Sequence, residues 1–342
     1  MLKPISVEQA LKLHNTIFLD TRTPAEFDED HIPHAINLPV LSNEERAIVG
    51  TIYKRKSKEE AIEVGKQYFL TTLPHFMKEI EKHKHKTIVV NCWRGGMRSR
   101  IIVDMLTTLG YSALQLEGGY KSYREYVREQ LDTFHLKPTL IVLWGLTCTG
   151  KTELLSYFSN SLDLEGIAQH RGSLYGGIGL QPRSQKAFED LLLWRLRELN
   201  EQEFIIIEGE SRKIGDVQMP AFLYKAMLQG IPILVARSVE KRAEHALKEY
   251  FGTPESLQQI REVTARLFKV ISKQKQQETL RLLDEGKNKE AVKILLEYYY
   301  DPLYEHTVNR KKYQFQIDSD EMKIAVKGLK KMMGNLEQGI LI

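Results

Sequence analysis

The 342 residues are 42% hydrophobic and 27% charged, which excludes a disordered chain and leaves room for two domains with cores of their own. A net charge of +4 names no partner by itself, two cysteines are too few for a disulfide framework, and no run approaches the ~20 apolar residues of a membrane span. Residues 1–10 hold no basic segment followed by an apolar run, so no signal peptide and no membrane partner are expected, and the expected location is the cytoplasm.

Ile17–Asp20 is a short apolar run that ends in an acid and reads as a strand. Thr87–Asn91, rich in β-branched residues, reads as another that runs into Cys92. Over Met97–Leu109 the apolar positions recur at helical spacing, and Gly110 is a natural stop. Ala113–Leu116 is a further short strand closed by Gly118-Gly119, and Lys121–Gln130 is a charged helix. This alternation predicts a parallel α/β domain over residues 1–135. Leu136-Lys137-Pro138 reads as a linker, and Thr139–Trp144 is a fresh strand that enters a glycine loop and a helix over Lys151–Phe158. The second domain, residues 136–342, should add strands at 204–207, 231–236 and 313–317. Val239–Tyr300 looks almost wholly helical, interrupted by Gly252-Thr253-Pro254. The expected fold class is therefore α/β twice over, with a helical C-terminal portion.

The basic residues are clustered. Lys54, Arg55, Lys56 and Lys58 form one run, and Lys82, Lys84 and Lys86 a second. Arg310-Lys311-Lys312 and Lys327, Lys330, Lys331 form two more. Any one of these is an ordinary solvated face; together they point toward a polyanionic partner.

Cys92-Trp93-Arg94-Gly95-Gly96-Met97-Arg98-Ser99 lies between a strand and a helix. Successive backbone N–H groups can curl into such a loop, glycines allow the curl, and the helix N-terminus adds positive potential. A cysteine there, among Arg94, Arg98 and Arg100, is suited to nucleophilic chemistry rather than to inert packing. The candidate anion loop is Arg94, Gly95, Gly96, Arg98 and Ser99 around Cys92.

Gly145-Leu146-Thr147-Cys148-Thr149-Gly150-Lys151-Thr152 fits the P-loop pattern, and the strand before it and helix after it supply the context the motif requires. Gly145, Thr149, Gly150, Lys151 and Thr152 are the candidate diphosphate-binding residues, and the Thr152 hydroxyl can reach a magnesium ion. Cys148 reads as a spacer. The strand Phe204–Ile207 leads to Glu208-Gly209-Glu210-Ser211-Arg212, so a glutamate stands where an NTPase usually has an aspartate. No cluster reads as a dedicated protein metal site. His170, Arg171, Glu208, Glu210 and Arg212 are candidates for a second site around the phosphate loop. Tyr298, Tyr299, Tyr300 and Tyr304 could stack a base or line a prenyl slot, although aromatics at helical spacing are more often core.

Leu19–Phe27, His31–Asn37 and Leu116–Gly119 resemble the signature segments of rhodanese domains, with one departure. Five residues separate Cys92 from Arg98, one more than ordinary sulfurtransferase loops have, a length that also resembles cysteine phosphatases. Asn91 stands where those phosphatases have histidine. The order of a rhodanese-like and then a P-loop domain resembles the tRNA 2-selenouridine synthases. So do Glu45–Lys54, Asp163–Ser173, Glu208–Gly215 and Tyr299–Tyr304. The resemblance implies selenium exchange at a tRNA wobble uridine that carries a 2-thio group. The sulfur is first S-geranylated by geranyl diphosphate, and selenium from selenophosphate then replaces it. It further implies that Cys92 carries or delivers selenium, that no cofactor is tightly bound, and that an enzyme supplying selenophosphate is a candidate partner. The magnesium requirement stays open. The competing readings are an ATP-dependent tRNA sulfurtransferase or kinase with a rhodanese sulfur carrier, a phosphatase, and a regulatory anion-binding module.

Overall fold

The computed structural model describes residues 3–267 and 270–338. The chain divides into two compact units, Met1–Thr133 and Phe134–Ile342.

The first unit is built on strands β1 (Thr16–Asp20), β2 (Ile36–Asn37), β3 (Thr87–Asn91) and β4 (Ala113–Gln115). Their order is β2-β1-β3-β4, and every pair is parallel. Val89 and Val90 are both fully buried although they point to opposite faces, as a parallel sheet covered on both sides requires. Leu19, Ile88, Val90, Ile102 and Leu106 share one core, and a fully buried aliphatic of this kind stabilises by about 1.5–3 kcal/mol. Asp20 pairs in register with Asn91, so β1 and β3 end level. The Thr21 N–H and hydroxyl then both donate to the Asn91 carbonyl, at 2.9 and 2.8 Å.

The helix after β3 spans Met97–Thr108, one residue short of the expected end, and Gly110 turns left-handed at φ +84° just beyond it. The next helix is longer than Lys121–Gln130 and runs Gly119–Asp132. Gly118-Gly119 does more than close a strand. A Cβ on Gly119 would lie 2.3 Å from the Cys92 carbonyl oxygen, so the helix start passes directly against the cysteine loop.

Between β2 and β3 stand two helices that the sequence pattern does not assign, Asn43–Arg55 and Lys58–Glu81. Their starts are encoded locally. Ser42 and Glu45 form a capping box, and the Ser57 hydroxyl accepts the Glu60 N–H at 3.0 Å.

The second unit holds β5 (Thr139–Trp144), β6 (Ser161–Leu162), β7 (Phe204–Glu208), β10 (Ile231–Ala236) and β11 (Phe315–Asp318) in one parallel sheet of order β11-β10-β5-β7-β6. A small antiparallel pair, β8 (Lys213–Ile214) and β9 (Val217–Gln218), lies outside it. The helix after the glycine loop covers only Lys151–Leu155 rather than reaching Phe158, because the Tyr157 and Phe158 N–H groups bond three residues back and tighten the last turn. Val239–Tyr300 is helical with more breaks than expected. Helices Val239–Tyr250, Pro254–Ala265, Lys273–Asp284 and Asn288–Leu295 are followed by a π-helical turn, Leu296–Tyr300, which continues into Asp301–Asn309. These helices enclose their own core around Tyr175, Leu283, Leu295, Tyr299 and Tyr300. Among the described residues no helix is long and apolar enough to cross a membrane.

Candidate functional site

In the first unit, β3 delivers Cys92 to the mouth of the loop that starts helix Met97–Thr108. The Gly96 N–H donates to Cys92 Sγ at 3.2 Å, and Ser99 Oγ lies 3.3 Å from the same sulfur. Gln115, at the end of β4, donates from Nε2 to the Gly95 carbonyl at 2.8 Å and to Ser99 Oγ at 3.0 Å. Gly95 is left-handed at φ +60°, and a Cβ there would lie 2.7 Å from the Leu116 carbonyl oxygen. The loop is thus locked from β4 and from the glycine pair beneath it. Gln115 carries much of this and has no motif of its own.

Arg98 Nη1 donates to Glu26 Oε2 at 3.3 Å. Burial opposes ionisation of Glu26, but the Thr23 N–H and the Arg98 charge prevail and hold its carboxyl below the usual range. Behind them Arg22 pairs with Asp20 at 2.7 Å and stacks over Tyr120 at 3.6 Å, fully buried. Arg94 is exposed. Asn91, where the phosphatases have histidine, is buried, and neither side-chain polar atom has a hydrogen-bond partner.

Cys92, Arg94, Gly96 and Arg98 open onto a cavity of about 800 Å³. The two unassigned helices supply much of the rest, through Arg46, Val49, Tyr53, Ile62 and Phe69 among others, and Met97, Ile101 and Ile102 of the helix after the loop add to it. Cationic side chains line it, and no aspartate or glutamate does.

In the second unit, β5 runs into the P-loop. A Cβ on Gly145 would lie 2.4 Å from the Val235 carbonyl oxygen on β10, and Gly150 is left-handed at φ +81°. The Thr149 hydroxyl donates to the Leu146 carbonyl at 2.9 Å. Lys151 Nζ reaches the Gly145 and Leu146 carbonyls at 3.2 and 3.3 Å. Arg242, fully buried, braces the loop from outside: Nε donates to the Thr147 carbonyl at 2.9 Å while Asp301 holds the guanidinium. Burial pushes the Cys148 thiol up to about 12, consistent with a spacer and not a nucleophile.

The loop borders a cavity of about 390 Å³ whose lining includes Lys151, Thr152, Asp163, Glu165, Arg171 and Glu210. Thr152 Oγ1 lies 3.2 Å from Glu165 Oε2, and Glu208 Oε1 accepts the Glu165 N–H at 2.8 Å. Glu208 is fully buried, and its Oε2 has no partner. Burial raises the Glu208 carboxyl well above its ordinary value, and the charges of Asp163 and Glu165 add to that. Burial and then the Glu165 charge push Glu210 up to about 8. No group of three or more described His, Cys, Asp or Glu residues is arranged to hold a metal by itself.

Of the five second-site candidates, Arg171 and Glu210 line this cavity and Glu208 stands behind Glu165. Arg171 is fixed by Glu249 at 3.2 Å and stacks on Tyr250 at 4.6 Å. His170 is not among the lining residues and packs against Gly176 and Gly215 instead. Arg212 donates to the Met219 carbonyl at 3.3 Å, next to the small hairpin. Tyr299 and Tyr300 are core, as helical spacing suggests, whereas Tyr304 reaches the cavity. Asp163 and Glu165 were visible in the sequence only as part of a loop; an acid at the cap and first turn of a short helix after β6 was the available signal.

The rhodanese-like domain model matches residues 4–126, and the tRNA 2-selenouridine synthase AAA domain model matches residues 138–264. A tRNA 2-selenouridine synthase from Nitrosomonas europaea is 32% identical, over 89% of this chain and 92% of its own length. The chain belongs to the tRNA 2-selenouridine synthase family. Relatives of that name from Nitrosomonas eutropha and Hydrogenovibrio crunogenus are 31% and 30% identical, over 88% and 91% of this chain and 91% and 93% of their own lengths. Both loops lie within the matched segments, Cys92 in the first and Gly145–Thr152 in the second.

Proposed function

We propose that this chain replaces the 2-thio sulfur of a tRNA wobble uridine by selenium in two steps, S-geranylation and then selenation. The observation that carries the reading is the pairing, on one chain of this family, of two anion-cradling loops that border cavities of opposite character. In the first step the thiocarbonyl sulfur attacks the first carbon of geranyl diphosphate. The carbon–oxygen bond breaks, diphosphate departs and the N3 proton is released. Gly145, Thr149, Gly150, Lys151 and Thr152 suit the departing diphosphate, through backbone N–H groups and one ammonium.

Alkylation turns a poor leaving group into a thiolate. In the second step selenium bonds to C2, the C2–S bond breaks, and geranyl thiol leaves. Water takes the phosphoryl group of selenophosphate as phosphate, and N3 regains a proton. Cys92 takes part in the selenium transfer, while Arg94, Arg98 and the N–H groups of Gly95 and Gly96 hold the selenophosphate anion beside Ser99. No tightly bound cofactor is needed. The residues fit a magnesium ion: Thr152 and Glu165 would hold it, with the unpartnered Glu208 oxygen behind, and it would neutralise diphosphate charge. tRNA binds as substrate, an enzyme making selenophosphate is a candidate supplier, and the cytoplasm is the proposed location.

The test is mass spectrometry of nucleosides from 2-thiouridine tRNA incubated with the protein, geranyl diphosphate and selenophosphate, without ATP. Geranylated and then selenated uridine is expected. The carboxylates beside Lys151 and Thr152 favour one second reading, an ATP-dependent tRNA sulfurtransferase or kinase. Modification that appears only when ATP is added replaces the first reading by the second.

A further inference from the structure

The cavity beside Cys92 is far larger than one tetrahedral anion needs. Its volume of about 800 Å³ lies in the range of pockets that engulf whole organic ligands. Its inner wall is hydrocarbon: Val49, Ala61, Ile62, Phe69 and Ile102 come from three helices, and Ala61, Phe69 and Ile102 are buried. Its lip is also hydrocarbon, which is costlier. Tyr53, Met97 and Ile101 line the cavity yet stay 58%, 41% and 42% exposed. Large apolar side chains gathered at one opening mark a place that an apolar group covers. Arg46, Lys54 and Lys58 line the same cavity, and no acid does. A hydrocarbon interior with cations and a cysteine around it fits an amphiphile: an alkyl chain whose other end is an anionic nucleotide.

We infer that this cavity holds the geranyl chain of the S-geranyl-2-thiouridine nucleotide, with the C2–S bond presented to the Cys92 loop and the neighbouring phosphates facing the cations. This rests on the reaction proposed above and adds to it where the prenyl group sits while selenium enters. The prenyl group then serves the second step twice, as the substituent that makes sulfur leave and as the handle by which the first loop selects its substrate. Binding energy gained along the chain, away from the reacting carbon, is available for orientation at C2. A substrate alkylated by a shorter group has the same leaving-group chemistry and lacks the handle.

The experiment uses the full chain, selenophosphate and anticodon stem-loop RNAs that carry either S-geranyl- or S-methyl-2-thiouridine. Selenouridine formation is followed by mass spectrometry, and kcat and KM are measured for each RNA. The protein should prefer the S-geranyl RNA by about tenfold or more in kcat/KM, and Ile101→Asn should erase most of that preference in kcat/KM. Ile101→Leu should restore it. Ile101 sits on an exposed helix face, and a variant that had lost its fold would lose the S-methyl rate as well; in that event Tyr53→Asn, at the lip on another helix, carries the test. Equal rates on the two RNAs, or a preference that survives both Asn variants, overturns the inference and leaves the two-step reaction standing. Failure of the unaltered protein to selenate S-geranyl RNA at all overturns the reaction itself, and the inference with it.

Discussion

The two cavities are made by the same device and differ in what surrounds it. In each unit a parallel strand ends, a glycine loop curls, and a helix begins: β3, Cys92–Gly96 and Met97–Thr108 in one, β5, Gly145–Gly150 and Lys151–Leu155 in the other. Such strand ends are where open parallel sheets bind ligands. Around Cys92 the walls are apolar and cationic with no carboxylate. Around Lys151 they hold Asp163, Glu165 and Glu210, with Glu208 behind. On the function proposed above, the first cavity would need only its anion. The second would take a diphosphate together with protons or a cation, because bringing that anion against several carboxylates costs repulsion.

The comparison can be broken by separating the two sites chemically. Cys92→Ser removes the sulfur and keeps a hydroxyl in the loop. Selenation should fall by about a hundredfold to ten-thousandfold while geranylated tRNA accumulates. Loss of both products by mass spectrometry would undo this division of labour between the two loops. Lys151→Ala addresses the other cavity and should lower geranylation by about a hundredfold, with selenation of pre-geranylated RNA retained. Unchanged geranylation would take the P-loop out of that step.

A smaller effect concerns the basic runs. Lys56, Lys82 and Lys84 already pair with Glu60, Glu79 and Glu81, so those runs offer less charge than the sequence suggests. Lys54 and Lys58, at the cavity beside Cys92, are better placed for phosphates. If two phosphates are neutralised, tRNA affinity should drop about tenfold between 0.05 and 0.2 M salt, and Lys54→Ala with Lys58→Ala should flatten that slope. A slope unchanged in the double variant returns both residues to ordinary surface.

What was legible in the sequence is what is contiguous in it. The strand–loop–helix runs at Cys92 and at Gly145 put nucleophile, glycines and cations next to one another along the chain, so motif and geometry coincide. The remainder arrives by tertiary pairing. Gln115 reaches the cysteine loop only because β4 lies beside β3, and Glu165 reaches Thr152 only because β7 pairs with both β5 and β6. The helices at 43–81 were illegible for another reason. Their apolar residues serve two surfaces, with Phe76 and Ile80 in the core and Val49, Tyr53 and Ile62 on the cavity, and this blurs a single-stripe period. His170 and Arg212 look like site residues by composition, yet they pack against glycines and a hairpin carbonyl.

The finest test of the contrast is the acid content of the second cavity, read through pH. Glu210 is pushed up to about 8 by burial and by Glu165, so near neutrality the folded chain keeps a proton there that the unfolded chain, at the ordinary value of 4.5, has released. Stability therefore falls as pH rises, because the folded state is the one that binds more protons between about 4.5 and 8. Without diphosphate, the melting temperature of the second unit followed by calorimetry should decline between about pH 5 and 8. Glu210→Gln, which stays neutral, should lessen the decline without abolishing it, since Glu208 is raised in the same direction. Magnesium with diphosphate should reverse the sign of this effect, because a cation favours the ionised carboxylates and is held better as they form. A melting temperature indifferent to pH over that range would mean the carboxylates are solvated and charged in the free protein, and the second cavity would then resemble the first in needing nothing but its anion.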